Sequence, residues 1–140
     1  MRGGDALIAI LRVVQRMDSA TRGSILLVED EPTLLKLSET ILVRQGFTVS
    51  ACADAEAALN LLHAGHQFDM LATDMTLPGM NGVELAHLFR ALQPTSPILL
   101  MSGHDESEII EAGGVPEPSM ILLKPVGLAD MRAAVDELLG

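Results

Sequence analysis

Aromatic side chains and cysteine are scarce in this sequence of 140 residues. It contains no Trp, no Tyr, three Phe and a single cysteine, Cys52. A lone cysteine excludes an intrachain disulfide and is typical of a protein from a reducing compartment. With so few aromatic rings, the chain has little with which to stack nucleic-acid bases.

Positive charge is scarce as well. The chain carries 9 Lys and Arg against 19 Asp and Glu, a formal net charge of −10. Nucleic-acid binding depends on Lys and Arg that neutralise phosphates, so this balance argues against a nucleic-acid partner. The hydrophobic share of 49% is ordinary for a globular protein, and the length suggests one compact domain.

No apolar run is long enough to cross a membrane. The longest run near the start, Ala6 to Leu11, ends at Arg12, far short of the roughly 20 residues that a transmembrane helix needs. Arg12 and Arg16 interrupt the apolar region and Asp5 precedes it, which is not the pattern of a signal peptide. We therefore expect a cytoplasmic protein that does not contact a membrane.

Residues 1–22 are predicted to form a leader helix and linker outside the main domain, which spans residues 23–140. The leader has an apolar stripe at helical spacing, followed by a polar linker from Asp18 to Gly23. The stripe consists of Leu7, Ile8, Leu11, Val14 and Met17. Two interpretations stay open: a leader that packs or frays, or a helix that pairs in a homodimer or with another protein.

Short apolar runs alternate with segments of helical periodicity along the rest of the chain. Three runs are clear, Ile25–Val28, Ile98–Met101 and Met120–Leu123, and two are weaker, Thr48–Ala51 and Met70–Thr73. Four helical segments are clear, around Leu34–Leu42 after Pro32, Ala55–Leu62, Val83–Leu92 and Leu128–Leu139. This order predicts an α/β fold, a parallel sheet with helices on both faces.

The fourth helix in chain order is predicted to be short. Ile109 and Ile110 begin it, but two glycines and two prolines leave little regular helix after Ala112. These are Gly113, Gly114, Pro116 and Pro118.

Polar residues directly follow four of the five apolar runs. They are Glu29-Asp30-Glu31, Asp74, Ser102-Gly103 and Lys124-Pro125. Ligands of doubly wound sheets bind beyond the carboxyl ends of the strands, so these groups are expected to converge on one site.

The carboxylates of this predicted site suit a hard cation. Glu29, Asp30 and Asp74 offer oxygen ligands that fit Mg²⁺ better than zinc or copper. Taken alone, Asp30 is better explained as the cap of the first helix, but Asp74 at the neighbouring strand end favours the metal site. Lys124, one of only two lysines, closes an apolar strand and is therefore expected to have an anionic partner; the less favoured alternative is a lysine that reaches solvent from the strand end.

Four segments together resemble the response-regulator receiver domain (CheY-like). They are Leu27–Pro32, Thr73–Gly82, Met101–Gly103 and Leu123–Pro125. The resemblance implies a (βα)5 doubly wound, flavodoxin-like fold with five parallel strands in the order 2-1-3-4-5. It covers the chain from about Ser24 to Leu139.

The resemblance also implies a function and a role for each site residue. Asp74 would take a phosphoryl group from a histidine kinase or histidine phosphotransfer protein. Glu29, Asp30, Asp74 and the Thr76 carbonyl would hold Mg²⁺. Ser102 and Lys124 would contact the phosphoryl oxygens, Gly103 would leave room for them, and the Lys124-Pro125 bond would be cis. Signalling would proceed by protein contact or onward transfer, without turnover of an external substrate, and the resemblance identifies no downstream partner.

The sequence departs from many receivers at Ile121, where they carry an aromatic residue that turns inward on activation. With that switch absent and the fourth helix broken, we hypothesise that phosphorylation orders the segment from His104 to Pro118 instead. His104 itself has two interpretations, control of water access to the acyl phosphate or a solvated loop histidine. His63 and His66 are interpreted as surface residues.

Other functions fit less well. A pseudo-receiver, an interaction module of the same fold, would usually lack Asp74 or Lys124. A haloacid-dehalogenase-like phosphatase would need an aspartate at Thr76, and a nucleotide binder would need a glycine-rich loop after the first strand. The end at Gly140 predicts a receiver without an effector domain, while Leu100–His104 also resembles receivers of hybrid sensor kinases, which would make the chain part of a larger protein.

Overall fold

The computed structural model describes residues 4–10 and 21–140. Five strands and five helices alternate through the second range, in addition to helical residues 4–10. The strands are β1 (Ser24–Val28), β2 (Thr48–Cys52), β3 (Met70–Asp74), β4 (Ile98–Ser102) and β5 (Ser119–Leu123). The helices are α1 (Pro32–Arg44), α2 (Ala55–His63), α3 (Gly82–Leu92), α4 (Glu106–Glu111) and α5 (Leu128–Leu139).

The five strands form one parallel sheet in the order β2-β1-β3-β4-β5, which confirms the predicted fold class. The chain moves outward from β1 to β2 and then crosses to the other side of β1 at β3. The order therefore reverses between β1 and β3, and a crevice opens there beyond the carboxyl ends of both strands. The register pairs Val28 with Thr73 and Asp74 with Met101, so the strand ends lie nearly level.

Alternate residues of the central strands supply two separate apolar layers. Leu26, Val28 and Leu71 pack with α2 and α3 on one face of the sheet. Ile25 and Leu27 face the other way and pack with α1 and α5. Because β1, β3 and β4 are buried on both faces, their sequences show continuous apolar runs rather than alternation.

The cap of α1 is Glu31, so the alternative explanation of Asp30 as that cap is wrong. The Glu31 carboxylate accepts hydrogen bonds from the Thr33 N–H at 3.2 Å and the Leu34 N–H at 2.7 Å. Pro32 occupies the first turn, as predicted. Glu31 has extended backbone, which brings its side chain back over the first turn, and Asp30 is left at the carboxyl end of β1.

Helix α4 is short, as predicted, with six residues ending at Glu111, but it begins at Glu106, three residues before the predicted start at Ile109. Gly113 and Gly114 follow with φ of +120° and +66°, conformations that favour glycine and end the helix. Two side chains of α3 bond to this segment. His87 Nε2 lies 2.9 Å from the Gly114 carbonyl, and Arg90 donates to the Pro118 carbonyl at 3.1 Å. Whether phosphorylation changes the order of residues 104–118 stays a prediction.

Part of the predicted leader falls within the described residues. Residues 4–10 are helical, with Leu7 and Ile8 58% and 48% exposed. Leu11, Val14, Met17 and residues 18–20 of the predicted linker lie outside the described residues. Within the ranges described, no helix combines the length and apolar character needed to cross a membrane.

Candidate functional site

Three carboxylates meet at the carboxyl ends of β1 and β3, as the sequence predicts. Glu29 and Asp74 are each only 4% exposed, whereas Asp30 is exposed. One carboxylate oxygen from each of the three lies within 4.8 Å of the others. Within residues 21–140, no other group of three or more potential metal-ligating side chains comes together in this way.

Lys124 pairs with Asp74, which confirms that this lysine has an anionic partner. Its Nζ lies 2.8 Å from Asp74 Oδ2, and the bond to Pro125 is cis, as expected. Burial by itself would lower the pKa of Lys124. The hydrogen bond and charge of Asp74, with the charges of Glu29 and Asp30, outweigh burial and raise the pKa above its ordinary value. The lysine is therefore a fixed positive charge against the buried aspartate.

The pKa of Glu29 is strongly raised by its surroundings. Burial is the largest cause, and the hydrogen bond with Asp74 and the Asp74 charge add to it, raising the pKa of Glu29 to about 8. Its Oε2 is buried without a hydrogen-bond partner. A buried carboxylate oxygen without a partner is unfavourable, so the group takes up a proton or binds a cation.

The carboxylates of Glu29, Asp30 and Asp74 fit a divalent cation. They supply hard oxygen donors, one of which, Glu29 Oε2, is buried and unpartnered. Such oxygen sets suit Mg²⁺ or Ca²⁺ rather than zinc or copper. Thr76 lies in the exposed loop that follows β3, close to the cluster in sequence, and the role of its carbonyl stays a prediction.

Ser102 lies fully buried at the end of β4. Its hydroxyl oxygen accepts a hydrogen bond from the His104 N–H at 2.9 Å. The hydroxyl also donates to Met75 Sδ at 3.3 Å. Nothing in the sequence singled out Met75 for this contact beyond its position directly after Asp74.

Gly82 holds the start of α3 against the backbone of Asp74. Its N–H donates to the Met75 carbonyl at 2.7 Å, and a Cβ at this position would lie 2.1 Å from the Asp74 carbonyl oxygen. The requirement for glycine at this position is therefore close backbone contact with the residue at the centre of the site.

The His104 side chain is 46% exposed to solvent and has two defined partners. Its Nδ1 pairs with Glu108 of α4, and its Nε2 lies 3.5 Å from the Thr76 hydroxyl. Its influence on water at the site stays a prediction. His63 and His66 lie exposed, as the sequence indicated.

An apolar groove of about 510 Å³ opens beside the carboxylates, between α1 and α5. Leu34, Leu37 and Met131 contribute to its apolar wall, and Glu29 and Lys124 lie at its polar end. A protein surface that fills this groove would therefore stand next to the buried carboxylates.

Comparison with known families gives one match over most of the chain. The model of the family described as the response regulator receiver domain matches residues 25–136.

Curated relatives match over a similar range. The two-component response regulator ORR24 of Oryza sativa is 34% identical over 109 residues, 77% of this chain and 17% of that protein. The transcriptional activator protein PfeR of Pseudomonas aeruginosa is 35% identical over 116 residues, 82% of this chain and 37% of that protein. The chain thus spans well under half the length of these relatives.

Solved structures agree with the observed architecture. A response regulator receiver protein from Sinorhizobium medicae superposes with a TM-score of 0.75 at 34% identity, covering 83% of this chain and 93% of that one. The receiver domain of the hybrid histidine kinase CckA gives a TM-score of 0.70 at 27% identity, covering 84% of this chain and 100% of that one.

Proposed function

This chain belongs to the response regulator receiver domain family of two-component signalling, and on that premise we propose that Asp74 is its phosphoacceptor. One observation carries the proposal: Asp74 is buried at the reversal point of the sheet, with Lys124 Nζ 2.8 Å away. The carboxylates of Glu29 and Asp30 adjoin it. This arrangement combines a nucleophilic oxygen, a fixed cation and a set of metal ligands at one point.

Phosphoryl transfer at Asp74 proceeds by displacement at phosphorus. A carboxylate oxygen of Asp74 attacks the phosphorus of a phosphohistidine, a P–O bond forms and the P–N bond breaks. The electron pair of the broken bond stays on the imidazole nitrogen, which takes a proton from its surroundings. The product on this chain is an acyl phosphate of Asp74.

The residues around Asp74 neutralise the charge that gathers there. Lys124 lies against the acceptor and offsets the negative charge of the incoming group. Glu29, Asp30 and Asp74, with the Thr76 carbonyl, would hold Mg²⁺. The ion, when bound, supplies further neutralisation of the phosphoryl oxygens.

Ser102 is the hydroxyl donor in this proposal. It is the last residue of β4, the strand that pairs with β3, and lies one residue beyond the Asp74–Met101 pair. Its hydroxyl would donate to a phosphoryl oxygen in place of its present acceptor. Gly103, where an added Cβ would meet nothing within 4 Å, would leave room for the group.

The partner that supplies the phosphoryl group is a histidine kinase or a histidine phosphotransfer protein. The apolar groove beside Glu29 and Lys124 supports docking of a protein donor next to the acceptor. We propose that the chain works in the cytoplasm and passes its signal by protein contact or onward transfer, rather than by turnover of an external substrate. The net charge of −10 supports protein partners over nucleic acid for this domain, and a homodimer through the leader stays a candidate assembly.

Intact-mass spectrometry tests the acceptor directly. The protein is incubated with acetyl phosphate with and without Mg²⁺, and a single added PO₃H group is expected only with the metal. Asp74→Asn should abolish the adduct, while Asp136→Asn, at an exposed carboxylate on α5, should retain it. An adduct that survives Asp74→Asn would assign the acceptor elsewhere. Absence of both the adduct and beryllofluoride binding in the unaltered protein would favour a phosphorylation-independent interaction module.

A further inference from the structure

Met75 contacts both the hydroxyl of Ser102 and a small apolar cluster under α4. Its Sδ lies 3.3 Å from Ser102 Oγ. Its side chain, 8% exposed, belongs to a cluster with Val83, Leu100 and Ile109. Ile121 of β5 and Val115 pack against the same cluster. We call these six residues the α4–β5 cluster.

The thioether is the better of two acceptors available to the Ser102 hydroxyl. The alternative is the His104 carbonyl at 3.4 Å, which is long for an O–H···O hydrogen bond, usually 2.5–3.0 Å. Sulfur is a larger atom, and 3.3 Å is close for an O–H···S contact. Ser102 is fully buried, so water does not compete for its proton.

A thioether is a weak acceptor, which suits a hydroxyl that has to change partners. A phosphoryl oxygen carries negative charge, and hydrogen bonds to charged acceptors are about twice as strong as neutral ones. The Ser102 hydroxyl would therefore leave Met75 when a phosphoryl group occupies the site. The Met75 side chain then loses the one hydrogen bond described for it and becomes free to repack against its apolar neighbours.

We propose that Met75 is a positioning residue. Its thioether accepts the hydrogen bond of the Ser102 hydroxyl while no phosphoryl group is bound, and its movement when one binds changes the packing of α4 and β5. The proposal rests on the proposed function, because it takes Ser102 as the phosphoryl ligand. It adds a route for the signal: Ser102 releases the thioether, Met75 repacks, and Ile109 and Ile121 respond. No step requires an aromatic side chain at position 121.

Methyl NMR of the full chain tests this route, with beryllofluoride and Mg²⁺ as the probe. The Met75 methyl resonance is identified by its loss in Met75→Leu. Addition of the probe to the unaltered protein should shift the methyl resonances of Met75, Ile109 and Ile121. Ser102→Ala without the probe should shift the Met75 methyl in the same direction, because it also removes the hydroxyl from the sulfur.

Met75→Leu keeps the approximate volume and removes the acceptor. The variant should still bind beryllofluoride, about two- to fivefold more tightly. The reason is that the Ser102 hydroxyl no longer has to break a hydrogen bond to the thioether when beryllofluoride binds. The shifts of Ile109 and Ile121 should be largely lost. Met101→Leu is the matched control: Met101 is equally buried and adjoins Ser102, but packs on the other face of the sheet. It should retain all three shifts.

Two results would overturn the inference while leaving the proposed function intact. One is beryllofluoride binding that does not move the Met75 methyl in the unaltered protein. The other is Met75→Leu with undiminished shifts at Ile109 and Ile121. Failure of the unaltered protein to bind beryllofluoride would overturn the proposed function and this inference together.

Discussion

At the residue scale, the balance of charge around Asp74 depends on one lysine. Three carboxylates share the site, and Lys124 is the cation in hydrogen-bond contact with the acceptor. The chain has just one other lysine, Lys36, on the exposed surface of α1, where it pairs with Glu39 at 3.1 Å. Substituting each lysine in turn therefore separates the effect of contact with Asp74 from the effect of net charge.

Lys124→Met should slow adduct formation with acetyl phosphate by about 100-fold, the usual effect of removing one donor to a developing oxyanion. The methionine keeps the length of the side chain and removes the charge. Lys36→Met removes the same charge from the surface and should leave the rate unchanged. The time course of adduct formation by intact mass gives both rates, and equal slowing in both variants would show that net charge, rather than contact with Asp74, is responsible.

At the element scale, the position of α3 is tied to the acceptor strand. Gly82 starts the helix where a Cβ would meet the Asp74 carbonyl oxygen at 2.1 Å. The other half of α3 bonds to the segment after α4 through His87 and Arg90. The helix thus spans the space between the candidate site and the glycine- and proline-rich segment that follows α4.

Gly82→Ala should destabilise the domain by about 1–3 kcal/mol, because the backbone of β3 or α3 has to shift to admit the methyl group. Urea unfolding followed by circular dichroism measures the free energy of unfolding. Gly103→Ala, where the added Cβ meets nothing within 4 Å, is the matched control and should change stability little. An alanine at position 82 tolerated as well as one at 103 would contradict the close contact.

At the scale of the whole molecule, stability is linked to pH through Glu29. Its pKa is raised from 4.5 to about 8 in the folded protein. Between these values the unfolded chain has released the proton while the folded protein still binds it. The contribution of Glu29 to the stability of the folded protein should therefore be fully present below about pH 4.5. It should decrease as the pH rises towards 8.

Urea unfolding in EDTA across this pH range measures the effect. Glu29→Gln cannot ionise, so its stability should change less with pH than that of the unaltered protein. Glu56→Gln, at an exposed position on α2, should leave the pH dependence as it was. A decrease with pH that persists in Glu29→Gln would assign it to other groups.

Much of this molecule could be predicted from local sequence. Apolar runs without alternation predicted strands covered on both faces. The structure places all five runs in one parallel sheet, in which β1, β3 and β4 are buried and the edge strands β2 and β5 are only partly buried. The last residue of a parallel strand, or the residue directly after it, lies at the carboxyl edge of the sheet. Glu29, Asp74, Ser102 and Lys124 could therefore be assigned to one site without knowledge of any contact.

The remaining features depend on contacts between residues far apart in the chain. Lys124 and Asp74 are 50 positions apart, and Ser102 and Met75 are 27 apart. Their pairing follows from strand register and side-chain rotamers, which local patterns do not record. The cap of α1 shows the same limit at short range, because the sequence allowed Asp30 and backbone geometry selected Glu31.

The sequence by itself determined the element order, the two apolar layers and the identity of the groups at the sheet edge. These features depend on patterns of apolar and polar residues that lie close together in the chain. Only the tertiary structure decided which of those groups touch. It set the raised pKa of Glu29, the contact of Gly82 with Asp74 and the acceptor of the Ser102 hydroxyl. These properties depend on distance and desolvation in the folded chain, which exist only once separate strands and helices pack together.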